Sequence, residues 1–190
     1  MQLSFLARAI PLIVAGGLML IFLPHSKGFQ SVVGLDDKQS QDCTVSAIAD
    51  GDTITCNGGL KIRFCGIDAP ESSQPLGNES RQKLIDFLAN REVIISPIER
   101  DRYGRLIAEV FVKISQGSEE ELFINAEMVR AGLAYHYDRY SGSCLGKDAI
   151  VDAEIEARGR SIGVWSGNYQ RPWDFRQERR SALPSQRESN

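Results

Sequence analysis

The chain has 190 residues, enough for one domain with tails, and its 42% hydrophobic and 25% charged residues are those of an ordinary globular protein. A formal net charge of −3 excludes a broad basic face that coats nucleic acid. A polyanionic partner would have to be met by a few placed cations and a metal ion, and the charge by itself favours some other kind of partner. No repeat of fixed period occurs, which excludes a solenoid.

Residues 1–30 read as a targeting segment. Arg8 is the only charge before Lys27, and an apolar run from Ala9 to Pro24 lies between them. A basic start followed by such a run predicts a secretory signal. The residues after it, His25-Ser26-Lys27-Gly28, hold no clear small-residue cleavage site, so an uncleaved N-terminal membrane anchor is the alternative. The run is shorter than the ~20 apolar residues of a usual span. Either way the protein is expected to be exported: secreted, periplasmic or membrane-anchored. Cys43, Cys56, Cys65 and Cys144 suit an oxidising compartment. Cys43 and Cys56 flank a predicted hairpin at near-opposite positions, which favours pairing them and leaves Cys65 with Cys144. A zinc site is the rival use, but no Cys-x-x-Cys occurs.

Residues 31–42 read as a linker. From Cys43 the pattern is β: Thr44-Val45-Ser46-Ala47-Ile48, a turn at Asp50-Gly51-Asp52, Thr53-Ile54-Thr55-Cys56, a turn at Asn57-Gly58-Gly59, then Leu60 to Ile67. A helix is expected next, with Asn78 as N-cap, an apolar stripe of Leu84, Ile85, Phe87 and Leu88, and an end at Asn90. Glu92 to Ile98 and Leu106 to Ile114 are the fourth and fifth strands, joined by a turn at Asp101-Arg102-Tyr103-Gly104. Two helices come after them, Ile124 to Ala131 and about Lys147 to Arg158. Residues 177–190 are polar and read as disordered. The expected fold is α+β, mainly β: a five-stranded Greek-key barrel of the oligonucleotide-binding (OB) type with about three helices.

Three segments carry the chemistry. Asp50-Gly51-Asp52-Thr53 is either a plain hairpin turn or a pair of oxygen ligands for a hard cation. Arg63-Phe64-Cys65-Gly66-Ile67-Asp68-Ala69-Pro70-Glu71 places an arginine in a partly buried strand, where it needs a carboxylate or a phosphate as partner. Pro70 keeps Ala69 extended, so Asp68 and Glu71 flank a turn and can face a metal and a water. An internal Arg–Asp pair is the plainer alternative. Asp101-Arg102-Tyr103-Gly104-Arg105 sets two guanidiniums around a turn, solvated or aimed at phosphate.

Taken together and in this order, the three segments resemble the thermonuclease family of staphylococcal nuclease type over residues 43–166. Asn125-Ala126-Glu127-Met128-Val129-Arg130-Ala131-Gly132-Leu133-Ala134 and Gly163-Val164-Trp165 add to the likeness. Within the tail 167–190, Arg171-Pro172-Trp173-Asp174-Phe175-Arg176 resembles the segment carried after the domain by many exported relatives. The resemblance implies a calcium-dependent endonuclease that cuts DNA and RNA with little sequence preference and leaves 3′-phosphates. It implies Asp52, Asp68 and the Ala69 carbonyl as calcium ligands, Glu71 as the group that steers or deprotonates the attacking water, and Arg63 and Arg105 on the phosphate. Tyr135, Tyr137 and Tyr140 crowd the stretch where the family stacks its substrate, with Tyr137 and Tyr140 the candidates. Single strands are the expected substrate form, and a monomer the expected state. The neutral Ser72-Ser73-Gln74-Pro75 departs from the basic substrate loop of the staphylococcal enzyme. His136 is read as a surface or packing residue. Two other readings stay open: a non-catalytic oligonucleotide-binding module, and a disulfide-stapled structural protein whose acids bind calcium for stability.

Overall fold

The computed structural model describes residues 39–182 apart from Gln116. The expected targeting segment, most of the linker and residues 183–190 therefore lie outside the described residues. Among the described residues no helix is long and apolar enough to cross a membrane.

The barrel is built from strands β1 (Gln41–Cys43), β2 (Val45–Ile48), β3 (Thr53–Cys56), β4 (Leu60–Phe64), β6 (Val93–Arg100) and β7 (Leu106–Lys113). β1 and β2 are one extended run broken at Thr44. The first half pairs with β6 and the second with β3. Antiparallel β3–β4, parallel β4–β7 and antiparallel β6–β7 pairings complete the circuit. The sheet thus curls back toward its own start, as the OB-type reading expects. Side chains pointing inward alternate along the strands. Ile54, Ile62, Phe64, Ile95, Leu106, Val110 and Val112 are buried, joined by Leu84 and Leu88 of α1 (Gly77–Leu88) and Met128 and Val129 of α2 (Ile124–Arg130). Each such fully buried side chain contributes about 1.5–3 kcal/mol. Pro97 sits at a register shift in β6, where a missing donor is tolerated.

Several boundaries differ from expectation for local reasons. Strand three stops at Phe64, because Gly66 takes φ +75° and its missing Cβ leaves room for Cys144 Sγ. The chain then re-enters as the two-residue β5 (Ile67–Asp68), paired with β9 (Tyr135–His136). A further short strand, β8 (Glu121–Phe123), pairs with β7. Helix α1 starts at Gly77, not behind an Asn78 cap, with the Gly77 N–H donated to the Gln74 carbonyl (3.1 Å). α3 (Lys147–Gly159) matches its expected span. The main correction is at the end. Four α-helices, not about three, are present among the described residues. The fourth, α4 (Pro172–Ala182), includes residues 177–182 of the stretch read as disordered.

Both expected disulfides are present, Cys43–Cys56 and Cys65–Cys144. Asn125 of α2 ties helix to barrel: its Oδ1 accepts from Val110 N–H (3.0 Å), and its Nδ2 donates to the Cys65 carbonyl (2.9 Å).

Candidate active site

The site grows from turns at the ends of barrel strands. After β2, Asp50 Oδ1 accepts the Asp52 N–H (3.1 Å), which closes the turn. Gly51 is needed there because a Cβ would fall 1.8 Å from Ser80 Oγ of α1. Asp52 is then aimed inward, 4% exposed, accepting from Ala69 N–H (2.6 Å) and Thr53 Oγ1 (2.9 Å). Arg63 projects from β4, opposite Thr53 and beside Ile107. Its Nη2 touches Asp68 Oδ1 (2.7 Å) and Asp52 Oδ2 (3.1 Å), and its Nη1 donates to the Phe64 carbonyl (3.1 Å). Asp68, on β5, is fully buried. The internal Arg–Asp pairing foreseen as the plainer reading is therefore present, and it joins both aspartates to one guanidinium.

This cluster lies at one side of a cleft of about 980 Å³ whose lining also holds Glu71, Arg105, Tyr137 and Tyr140. Arg105 is oriented by its own turn: its Nε donates to Asp101 Oδ2 (2.7 Å) and its N–H to Asp101 Oδ1 (3.0 Å). Burial pushes the Asp101 carboxyl up, but the Arg105 and Tyr103 hydrogen bonds outweigh it and hold it below the usual range. Arg102, in contrast, is exposed and lies over the Tyr103 ring. Tyr140 is 59% exposed, whereas Tyr137 stacks on Trp173 at 4.9 Å and 6°. Ala69 is buried beside Asp52, with its N–H used on that carboxylate. His136 is half-buried, with Nε2 2.9 Å from Ser141 Oγ, a packing role as expected.

Sequence reasoning missed the site roles of Tyr103, Arg139, Trp173, Arg176 and Arg180, all of which line the cleft together with Asp50. Seven arginines against five carboxylates make this lining locally basic on an acidic chain. The cations that the neutral Ser72–Pro75 loop lacks come instead from the 100–105 turn, from Arg139 and from α4. Arg176 is the nearest to the acids: Nη1 and Nη2 fork onto Asp68 (3.0 and 2.7 Å), and Nη1 also donates to Glu71 Oε1 (2.8 Å). Pro172 at the first helical position, Asp174 in the first turn and Arg179 and Arg180 in the last were the available signals for α4.

Burial disfavours the charged form of two of the acids despite the arginines beside them. Burial, then the Asp52 charge, raises Asp50 to about 7. Burial raises Asp68 to about 6 against the Arg176 hydrogen bond, with the Asp52 charge adding to the rise. Among the described residues no three His, Cys, Asp or Glu side chains gather as a closed metal cage. Two buried carboxylates meeting at one cationic nitrogen, with a third beside them, are nonetheless the hard, oxygen-rich and electron-rich donor set that suits a cation whose remaining ligands are water and backbone carbonyls.

A family model described as staphylococcal nuclease homologue matches residues 61–167. The chain belongs to the staphylococcal nuclease family. A micrococcal nuclease of Shigella flexneri is 38% identical over 144 residues, covering 73% of this chain and 82% of its own. An uncharacterized endonuclease of Haemophilus influenzae is 32% identical over 160 residues, covering 82% and 79%. Protein ParB of Escherichia coli is 35% identical over 140 residues, covering 70% and 78%. As a member of this family the chain is a nuclease. The family match ends at residue 167, so the wall of this nuclease's cleft formed by α4 lies beyond it.

Proposed function

We propose that this nuclease is an exported, calcium-dependent endonuclease that hydrolyses phosphodiester bonds of DNA and RNA with little sequence preference and leaves 3′-phosphates. The observation that carries the reading is the single Arg63 guanidinium bridging Asp52 and Asp68 in a cleft that Glu71 and Arg105 also line. Asp52, Asp68 and the Ala69 carbonyl would hold the calcium, and the ion would neutralise a phosphate oxygen and orient the group.

The chain's own residues supply the rest. The Nη groups of Arg105 have no hydrogen-bond or ion-pair partner among the described residues, because Nε alone meets Asp101, and the guanidinium lies 5.7 Å from the Tyr103 ring centre. They are available to donate a fork to the phosphate as charge builds in the transition state. Arg63, held by Asp52 and Asp68, donates from the barrel strand β4. Glu71, a partly exposed carboxylate, accepts or steers a proton of the attacking water. The 5′ oxygen leaves and the phosphate stays on the 3′ side. Exposed Tyr140 and Tyr103 offer ring faces to unpaired bases, which supports a preference for single strands and tolerance of sequence. Two disulfides support export. A monomer suffices, since every proposed group comes from one chain.

The test is digestion of single-stranded and duplex DNA and of RNA, with calcium and with excess chelator, followed by end-group analysis. The reading expects calcium-dependent acid-soluble nucleotides bearing 3′-phosphates. Binding of oligonucleotide without cleavage under both conditions would leave only an OB-type binding module.

A further inference from the structure

We propose that Arg176 of α4 is a third phosphate-binding arginine of the active cleft, and that α4 forms a substrate-binding wall with Arg180 one turn further on. The inference rests on reading the cleft as the phosphodiester site.

Trp173, Arg176, Gln177 and Arg180 all line the cleft, at positions i, i+3, i+4 and i+7 of one helix. They therefore share a single face. A helix laid against a protein core carries an apolar stripe at these positions. This one carries two guanidiniums and an amide, with Trp173 alone used in packing. Such a face suits an anionic, aqueous neighbour.

The helix is also held in place. The Arg171 guanidinium lies 4.0 Å from the Tyr135 ring centre and 4.4 Å from that of Trp165. Gln74 Nε2 donates to the Gln170 carbonyl (3.0 Å), and Trp173 stacks on Tyr137. The wall is thus preorganised on the same segment that bears Tyr137 and Tyr140, and a polymer loses little ordering entropy in using it.

The donor inventory of Arg176 points the same way. A guanidinium has five N–H donors. Nη1 serves Asp68 and Glu71, and Nη2 serves Asp68 once. Nε and the second Nη2 hydrogen have no recorded partner among the described residues, in a side chain 33% exposed at the cleft. Arg176 can therefore keep its hold on the acids and still offer two donors to a phosphate. Without it, Asp50, Asp52 and Glu71 would face an incoming phosphodiester, with Asp68 buried beside them and Arg63 as the one guanidinium among the four, and like charge would repel the substrate. Arg180 is exposed with no carboxylate recorded within ion-pair reach among the described residues. It extends the cationic face past the cutting point, toward a neighbouring phosphate of the same strand.

The experiment uses the whole chain and a 5′-fluorescein oligothymidylate in excess chelator. Anisotropy gives Kd across a salt series, beside thermal melts and calcium-supported cleavage rates. Arg176→Ala should weaken binding about tenfold, in keeping with a lost hydrogen bond to a charged group. It should also lower the salt slope by about 0.7, the value for one phosphate of a single strand. Arg176→Lys should keep the slope and regain only part of the affinity, because the fork is lost. Arg180→Ala should lower the slope by a similar step with a smaller loss of affinity.

Unchanged Kd and slope in Arg176→Ala overturn the proposal, and a lowered Tm alongside them would make Arg176 only a staple. Faster cleavage by Arg176→Ala at unchanged Kd would make it a brake on the acids and overturn the proposal equally. Arg63→Ala and Arg105→Ala separate the two levels. If they abolish cleavage while Arg176→Ala binds normally, this inference fails alone. If they cut normally while Arg176→Ala loses binding and slope, the roles given to Arg63 and Arg105 fail and this one stands.

Discussion

The two walls of the cleft are made of different material. On the barrel side Asp52 and Asp68 are buried and the Arg63 side chain is 12% exposed, and each is fixed by at least two hydrogen-bonded or ionic partners. On the other side Tyr103 is 69% and Tyr140 59% exposed, and Arg102 and Arg139 rest on those tyrosine rings. The contrast matches two tasks. Charge that develops at one phosphorus needs donors that do not reorganise. A polymer of any sequence needs rings and cations that adapt. The Cys65–Cys144 bond ties the walls together, joining the end of β4 to the segment just after Tyr140.

That tie is the place where the comparison breaks with the largest effect. Replacing Cys65 and Cys144 by alanine opens a loop of 79 residues, and the chain-entropy model predicts a loss of about 4–5 kcal/mol. The pair Cys43 and Cys56, separated by 13, should cost about 3 kcal/mol. Denaturant melts of the two double variants check the order. The reverse order would mean that the walls are held by packing and not by the bond.

Catalysis should track the guanidiniums that carboxylates hold in place, Arg63 by Asp52 and Asp68 and Arg105 by Asp101. Arg63→Ala and Arg105→Ala are expected to lower kcat/KM by about 10²–10³ each, the range for a lost transition-state donor. Arg102→Ala, an exposed cation, should change it by less than about threefold. Equal losses in all three would erase the distinction between fixed and adaptable cations. On the adaptable side, Tyr140→Ala should raise KM about tenfold with little change in kcat, within the ~1–3 kcal/mol measured per stacked base. A fall in kcat at constant KM would move Tyr140 into the group that acts on the transition state.

The smallest expected effect is a pH term at the junction of the walls. Burial holds the His136 imidazole below its ordinary 6.5, against Glu154 and Asp138, with Lys147 adding to the depression. The folded state thus prefers neutral His136. The associated stability is present above pH 6.5 and is lost as pH falls through the folded value, where the unfolded chain binds the extra proton. His136→Gln should flatten Tm between pH 6.5 and 5, by about 2 °C at most. An unchanged slope would place the acid sensitivity among the carboxylates.

Much of this arrangement is legible in the sequence because it is built from contiguous turns. Asp50-Gly51-Asp52, Asp68 to Glu71 and Asp101 to Arg105 each declare a bend by their own residue chemistry, and the five barrel strands alternate clearly. What escapes is whatever tertiary contact alone decides. Tyr135-His136 is a strand only because β5 lies beside it, and Glu121–Phe123 is too short to show a period. The stacking of Tyr137 on Trp173 joins residues that no local pattern relates. α4 hides for a different reason: its cleft-facing stripe is Trp-Arg-Gln-Arg, so a search for apolar periodicity passes over it, although Pro172 and the charge gradient mark its ends.

Glu71→Gln offers the sharpest trial of the whole scheme, because it keeps the shape of the site and removes the one carboxylate assigned to the water. Oligonucleotide affinity and the single-turnover cleavage rate with calcium, measured on the same preparation, should show binding within a few-fold of the parent and cleavage slower by at least about 10². Cleavage at the parental rate would mean that the water is handled elsewhere and that these carboxylates serve only to hold the fold.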